Sequence, residues 1–267
     1  MEEKILTNEK IEAAAAERER IQYERMVKTP IPRLIISLGI PTMLNMMVTS
    51  LYNMVDMLFV RGLGDQATGA VNVVLALMSI IQAIGFTLGM GSGAIVSRLL
   101  GKRKQQEADE VFSTAFYTAL AIGLVITAVG LVFLEPVMRL LGAMEETGVP
   151  MTTLEYSKVY ATYILIAAPF MCMSFVMNNV LRAQGKAVLS MLGLITGAVL
   201  NTVLDPILIY GANMGMAGAA VATMISQIVS FCILLFKFPQ RFTGYYSRTD
   251  KGKHLHRRQY RKVITCY

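Results

Sequence analysis

From Leu34 to Phe238 the chain alternates between long apolar runs and short polar breaks. About 20 consecutive apolar residues are needed to cross the roughly 30 Å of hydrocarbon in a bilayer. Six runs meet that length, at approximately 34–60, 67–97, 111–134, 152–181, 187–210 and 215–238. The breaks between them read RGLGDQ, RLLGKRKQQEADE, EPVMRLLGAMEETGVP, LRAQGKA and GANMG, and they have the Gly, Pro and charge content of turns. A helix lying against water needs a polar stripe, and runs such as 187–210 have almost none, so the pattern excludes a soluble bundle. It predicts an all-α, polytopic membrane protein: a bundle of six transmembrane helices. The segment from Glu135 to Pro150 is too short and too charged to span, and is expected to lie as an amphipathic piece on the outer surface.

Outside the runs the pattern changes. Residues 1–33 are polar and are expected to form a cytosolic arm, with 8–28 rich in Ala, Glu and Arg and carrying Ile11, Ile21 and Met26 too sparsely for an apolar stripe. Residues 34–238 form the transmembrane lobe, and 239–267 a basic cytosolic tail. The start of the chain has no short apolar stretch before a small-residue cleavage site, so insertion is expected to be directed by the first span.

Charge orients the lobe. Basic residues in short loops are retained on the cytoplasmic side. With the N-terminus inside, only Arg61, Arg139 and Lys158 of the 25 Lys and Arg fall outside. The expectation is a multi-pass protein of the cell's inner, cytoplasmic membrane with both termini cytoplasmic. This bias also accounts for the net charge of +7, so nucleic acid is not expected as a partner and membrane lipid is. The 54% hydrophobic content exceeds the roughly 45–50% of soluble domains, in keeping with a lipid solvent. The three Cys, at 172, 232 and 266, are too scattered for a disulfide framework or metal-ligand spacing. No nucleophile, base and orienting group occur together, so the chain is not expected to be an enzyme, and no cofactor or metal is expected.

Candidate chemistry lies where lipid should forbid it. An ionisable side chain within a span costs on the order of 3 kcal/mol by insertion scales, so one that persists usually faces a cavity. Asp56 in the first run (SLYNMVDMLFV) and Asp205 in the fifth (LNTVLDPILIY) meet that description. Both runs go from inside to outside, and both acids fall about five residues, or roughly 7 Å, before the outer end, which allows a shared site. Asn45, Thr49, Tyr52 and Asp56 fall on one helix face, Asn201 precedes Asp205 by one turn, and Thr223 and Gln227 form an i, i+4 pair in the sixth run. Removal from water disfavours the charged carboxylate, the condition under which such a group exchanges a proton near neutrality. The alternative for each acid is helix packing or capping, above all for Asp205, because Pro206 frees carbonyls in the preceding turn. Pro41, Pro169 and Pro206 interrupt spans where transporters place bends. The run GFTLGMGSG, Gly85 to Gly93, looks like a phosphate loop but lacks a βαβ context, and is expected to serve close helix packing.

Three stretches, in this order, resemble a known family: PTMLNMMVTSLYNMVDMLFVRGLG, GMGSGAIVSRLLGKRKQQEADEVFSTAF and NNVLRAQGKAVLSMLGLITGAVLNTVLDPILIYGANMGMAGAAVATMISQ. They are similar to multidrug and toxic compound extrusion (MATE) transporters, most closely the DinF-like prokaryotic branch. The resemblance implies secondary active export of cationic or amphipathic small molecules, drugs and toxins among them, by antiport with protons or sodium. It implies an ion-coupling cluster at Asp56, Asp205, Asn201 and Thr223, with Tyr160 and Asn178 nearby. Tyr52, Asn45, Tyr160, Asn178 and Gln227 are the expected substrate-cavity residues. The family has twelve spans in two similar lobes, and this chain has six followed by PQRFTGYYSRTDKGKHLHRRQYRKVITCY. The expectation is therefore a truncated or frameshifted half-transporter, or a unit that pairs with a second lobe or a second copy of itself. The other readings are a lipid-linked precursor flippase of the same superfamily, which basic residues within the spans would have suggested, and a membrane fragment that does not transport.

Overall fold

The computed structural model describes residues 30–237, apart from ten side chains of the first helix and that of Lys237. Within that range every regular element is helical. The first helix, α1, runs Ile31–Arg61 behind Pro30. It is followed by α2 (Asp65–Gly101), α3 (Gln105–Val132), the short α4 (Leu134–Leu140), α5 (Thr153–Ala183), α6 (Ala187–Pro206) and α7 (Gly215–Lys237). A π turn, Ile207–Gly211, continues α6. Five helices are long and apolar enough to cross a membrane: α2, α3, α5, α6 with its π turn, and α7. The sixth, α1, has 31 residues, about 46 Å at 1.5 Å per residue. It presents Met43, Met47, Met54 and Leu58 outward, a surface that suits acyl chains and would be costly in water. The protein is a polytopic membrane helix bundle.

The helices outrun the apolar stretches at several ends. The second break is expected to span 13 residues from Arg98, yet α2 and α3 are separated only by Lys102, Arg103 and Lys104. Arg103 takes a positive φ of 57° and the Lys104 amide donates back to the Leu99 carbonyl, closing the turn. Hydropathy marks where lipid ends; backbone hydrogen bonding continues into water, so the two boundaries differ.

The 78% burial of its span places α5 at the centre, packed against α2, α3 and α7. Its Pro169 has no N–H, which frees the Leu165 carbonyl one turn back. Thr127 of α3 reaches across and donates its hydroxyl to that carbonyl at 2.6 Å. Left unpaired, such a group costs about 1–3 kcal/mol. Gly123, one turn before Thr127, permits the approach, since a Cβ there would lie 2.5 Å from the Pro169 Cα. The glycines of α2 act alike: Cβ atoms at Gly85 and Gly89 would meet Phe175 and Asn179 of α5 at 2.8 and 2.6 Å. The glycine run is a helix-packing seam, as its sequence context suggests.

Beyond α3 the segment expected on the outer surface forms α4 and a turn-rich loop anchored through Met138, which is fully buried. Arg139 pairs with Glu135 and Glu145 at 2.9 and 2.6 Å, and Lys158 pairs with Glu135 at 3.0 Å. Hydrogen bonding to Lys158 and then Arg139 holds the Glu135 carboxyl below its ordinary value. A depressed carboxylate stabilises the folded state at neutral pH, and that contribution fades as pH falls through its lowered value. Glu146 accepts from the Thr153 amide and hydroxyl, and a Thr152–Glu155 capping box starts α5.

Candidate functional site

Four helices bring polar side chains to one buried point. Asp56 comes from the C-terminal part of α1, Tyr160 from the second turn of α5, Asn201 and Asp205 from one face of α6, and Thr223 from α7. All five are at most 5% exposed. The Tyr160 hydroxyl donates to Asp56 Oδ2 at 3.1 Å and lies 3.3 Å from Thr223 Oγ1. The Asn201 amide donates to Thr223 Oγ1 at 3.3 Å and to Asp205 Oδ1 at 3.1 Å. A continuous chain of hydrogen bonds thus runs from Asp56 through Tyr160, Thr223 and Asn201 to Asp205. Three neutral side chains link the two acids that the sequence places at one depth.

The cluster is short of protons. Tyr160 and Thr223 carry one hydroxyl hydrogen each, and Thr223 also lies 3.1 Å from the Ala219 carbonyl. Asp56 Oδ1, Asp205 Oδ2 and Asn201 Oδ1 are buried with no donor. Buried oxygens are expected to be satisfied. Acceptors concentrated in this way match a small cation: a proton on either carboxyl, or a sodium ion among carboxylate and amide oxygens, the ligand type that hard cations prefer.

Beside the cluster is a cavity of about 380 Å³. Asn178 and Gln227, expected as cavity residues, line it. So do Asn201 and Thr223, which belong to the hydrogen-bonded chain as well and form the partition between carboxylates and cavity. Tyr160, also expected to line the cavity, sits behind that partition, hydrogen-bonded to Asp56. The side chains of Asn45 and Tyr52 lie outside the described residues. Thr49, on the same face of α1, reaches the wall.

Several lining residues escape the sequence reading. Gln82 of α2 and Ser226 and Ser230 of α7 line the cavity. The stripe 223, 226, 227, 230 on α7 was a readable signal, since those spacings share one helix face. Arg182 also lines the cavity. The sequence places it in a cytoplasmic loop, and no basic residue is expected within a span. In the structure α5 continues to Ala183, so Arg182 belongs to the helix's last turn rather than to a loop.

An α-helical membrane bundle that shields two acids next to a cavity large enough for a small molecule has the make-up of a membrane transporter lobe. The MatE family model matches residues 41–207, and the chain belongs to that family, whose members are membrane transporters and not enzymes. The multidrug export protein MepA of Staphylococcus aureus (strain MRSA252) is 29% identical over 212 residues, 79% of this chain and 46% of that protein. A crystal structure of MATE in the bent conformation is 32% identical with a TM-score of 0.75, covering 82% of this chain and 48% of that one. A MOP superfamily transporter from Pyrococcus furiosus is 32% identical with a TM-score of 0.73, covering 81% and 47%. The chain spans about half the length of the relatives it matches.

Proposed function

We propose that this chain is one lobe of a secondary exporter that moves cationic or amphipathic small molecules out of the cell in exchange for protons or sodium. The observation that carries the reading is the hydrogen-bonded chain from Asp56 to Asp205, two of whose links, Asn201 and Thr223, are also cavity wall. A cation bound at the acids draws those links toward it; its departure releases them into the cavity. Cation and drug therefore oppose one another through shared side chains, a negative coupling free energy between two sites. Similarity to a multidrug export protein supports the substrate class.

The lobe spans the cytoplasmic membrane with both termini inside; the expected arm, 1–33, and basic tail, 239–267, lie outside the described residues, except that residues 31–33 already belong to α1. It works with a second lobe, supplied by further chain, by another polypeptide or by a second copy, as parallel repeats allow. Vesicles holding the protein, loaded with ethidium and given an opposing pH or sodium gradient, test the reading. Gradient-driven ethidium movement that requires Asp205 is expected. Movement equal to that of empty vesicles, with ethidium binding also absent, would refute it.

A further inference from the structure

Arg182 has no part in the ion cluster. Its Nε donates to the Asn178 carbonyl at 3.3 Å, and among the described residues it forms no ion pair. A guanidinium carries five N–H donors, so most of this group's donors remain for whatever enters the cavity it lines. Nearby in the wall, Asn178 Oδ1, Ser174 Oγ and Ser226 Oγ are buried and unpartnered. Phe86, Phe175 and Met171 supply apolar wall. The cavity is therefore polar in an ordered way. Arg182 lies in the last turn of α5, shortly before α6 begins at Ala187, whereas Asn201 lies 14 residues, about 20 Å, further along α6. One end offers a cationic fork and the other hydrogen-bonding groups backed by carboxylates.

Resting on the reading of this cavity as the transport site, we infer that Arg182 is a specificity-determining residue that takes the acidic group of an amphiphile. Guanidinium binds carboxylate or phosphate through two parallel hydrogen bonds. The apolar body of such a ligand lies along Phe86, Phe175 and Met171, and any basic group it carries points to Asn201 and Thr223. A basic residue in the last turn of a helix also complements the terminal carbonyls. That role explains a positive charge at this position, but it has no preference among ligands, so the two are separable.

The test uses the full chain in phosphatidylcholine nanodiscs and three fluorescent probes sharing one body: dansylglycine, dansylglycinamide and dansylethylenediamine. Arg182→Gln is expected to weaken dansylglycine at least tenfold and dansylglycinamide less than threefold, and Arg182→Lys to recover part of the loss. Dansylglycinamide binding doubles as the check that the variant is folded. Displacement of dansylglycine by added phosphatidylglycerol would identify a lipid headgroup as the source of the acidic group, and resistance to it a soluble one; either supports the inference. Equal losses for both probes would overturn it. Binding of dansylethylenediamine without dansylglycine to the unaltered protein would overturn it while leaving the export reading in place. Failure of all three probes to bind would overturn both.

Discussion

Asp205→Asn is expected to make ethidium binding much less sensitive to pH and to sodium, whereas the unaltered chain should bind ethidium more weakly as either cation becomes more abundant. Coupling between two ligands of one protein typically amounts to 1–3 kcal/mol, roughly 5–150-fold in affinity, and the substitution should remove most of it. The change is nearly isosteric. Asparagine keeps an oxygen able to accept from Asn201, as Asp205 Oδ1 does now, and its amide meets a cluster that lacks donors. Stability should therefore change little while the ionisable group is gone. The sign follows from competition: lowering pH fills the carboxyls with protons and draws Asn201 and Thr223 away from the ligand. Ethidium titrations at several pH values, with and without sodium, measure it.

The second large effect is expected at Tyr160. Tyr160→Phe deletes the hydroxyl joining Asp56 to Thr223 and leaves Asp56, already short of one partner, with none among the described residues. Depriving a buried polar group of its partner costs about 1–3 kcal/mol, more for a charged one. The variant should therefore unfold at lower temperature when Asp56 is ionised, and the deficit should shrink when it is protonated. Because, among the described residues, Tyr160 joins Asp56 to the rest of the hydrogen-bonded chain, Asp205→Asn and Tyr160→Phe should be non-additive in their effect on ion-sensitive binding. Thermal unfolding across pH and a double-mutant cycle on ethidium affinity check both statements. Additive effects would mean that the two acids act separately.

Much of this arrangement is legible in the sequence, for a physical reason. Lipid offers no hydrogen bonds, so a span must be apolar over a fixed length; the runs stand out, and Asp56 and Asp205 stand out against them. The i, i+4 spacing of Asn201 with Asp205 and of Thr223 with Gln227 indicates which polar groups accompany them. The rest depends on how helices meet. That Tyr160 reaches Asp56 across 104 positions of sequence, and so leaves the cavity wall, is fixed by the packing of α5 against its neighbours. Arg182 reads as a loop residue because basic residues usually end spans, yet α5 runs two residues past the expected end and Arg182 joins the wall. The π turn after Pro206 is hidden likewise, although Pro206 locates the disturbance. That turn lets the Tyr210 hydroxyl reach the Phe59 carbonyl of α1 at 2.7 Å, tying α6 to α1 one turn beyond the two acids.

The central claim is that the buried acids hold a cation that the cavity ligand expels. Its most direct test is to add ethidium to purified, ion-loaded protein and record what leaves, using a pH indicator in weak buffer and, in parallel, radioactive sodium. Release of protons or sodium in step with ethidium bound, and its disappearance in Asp205→Asn, is the predicted result. Saturating ethidium binding that releases neither cation from the unaltered chain would contradict the account.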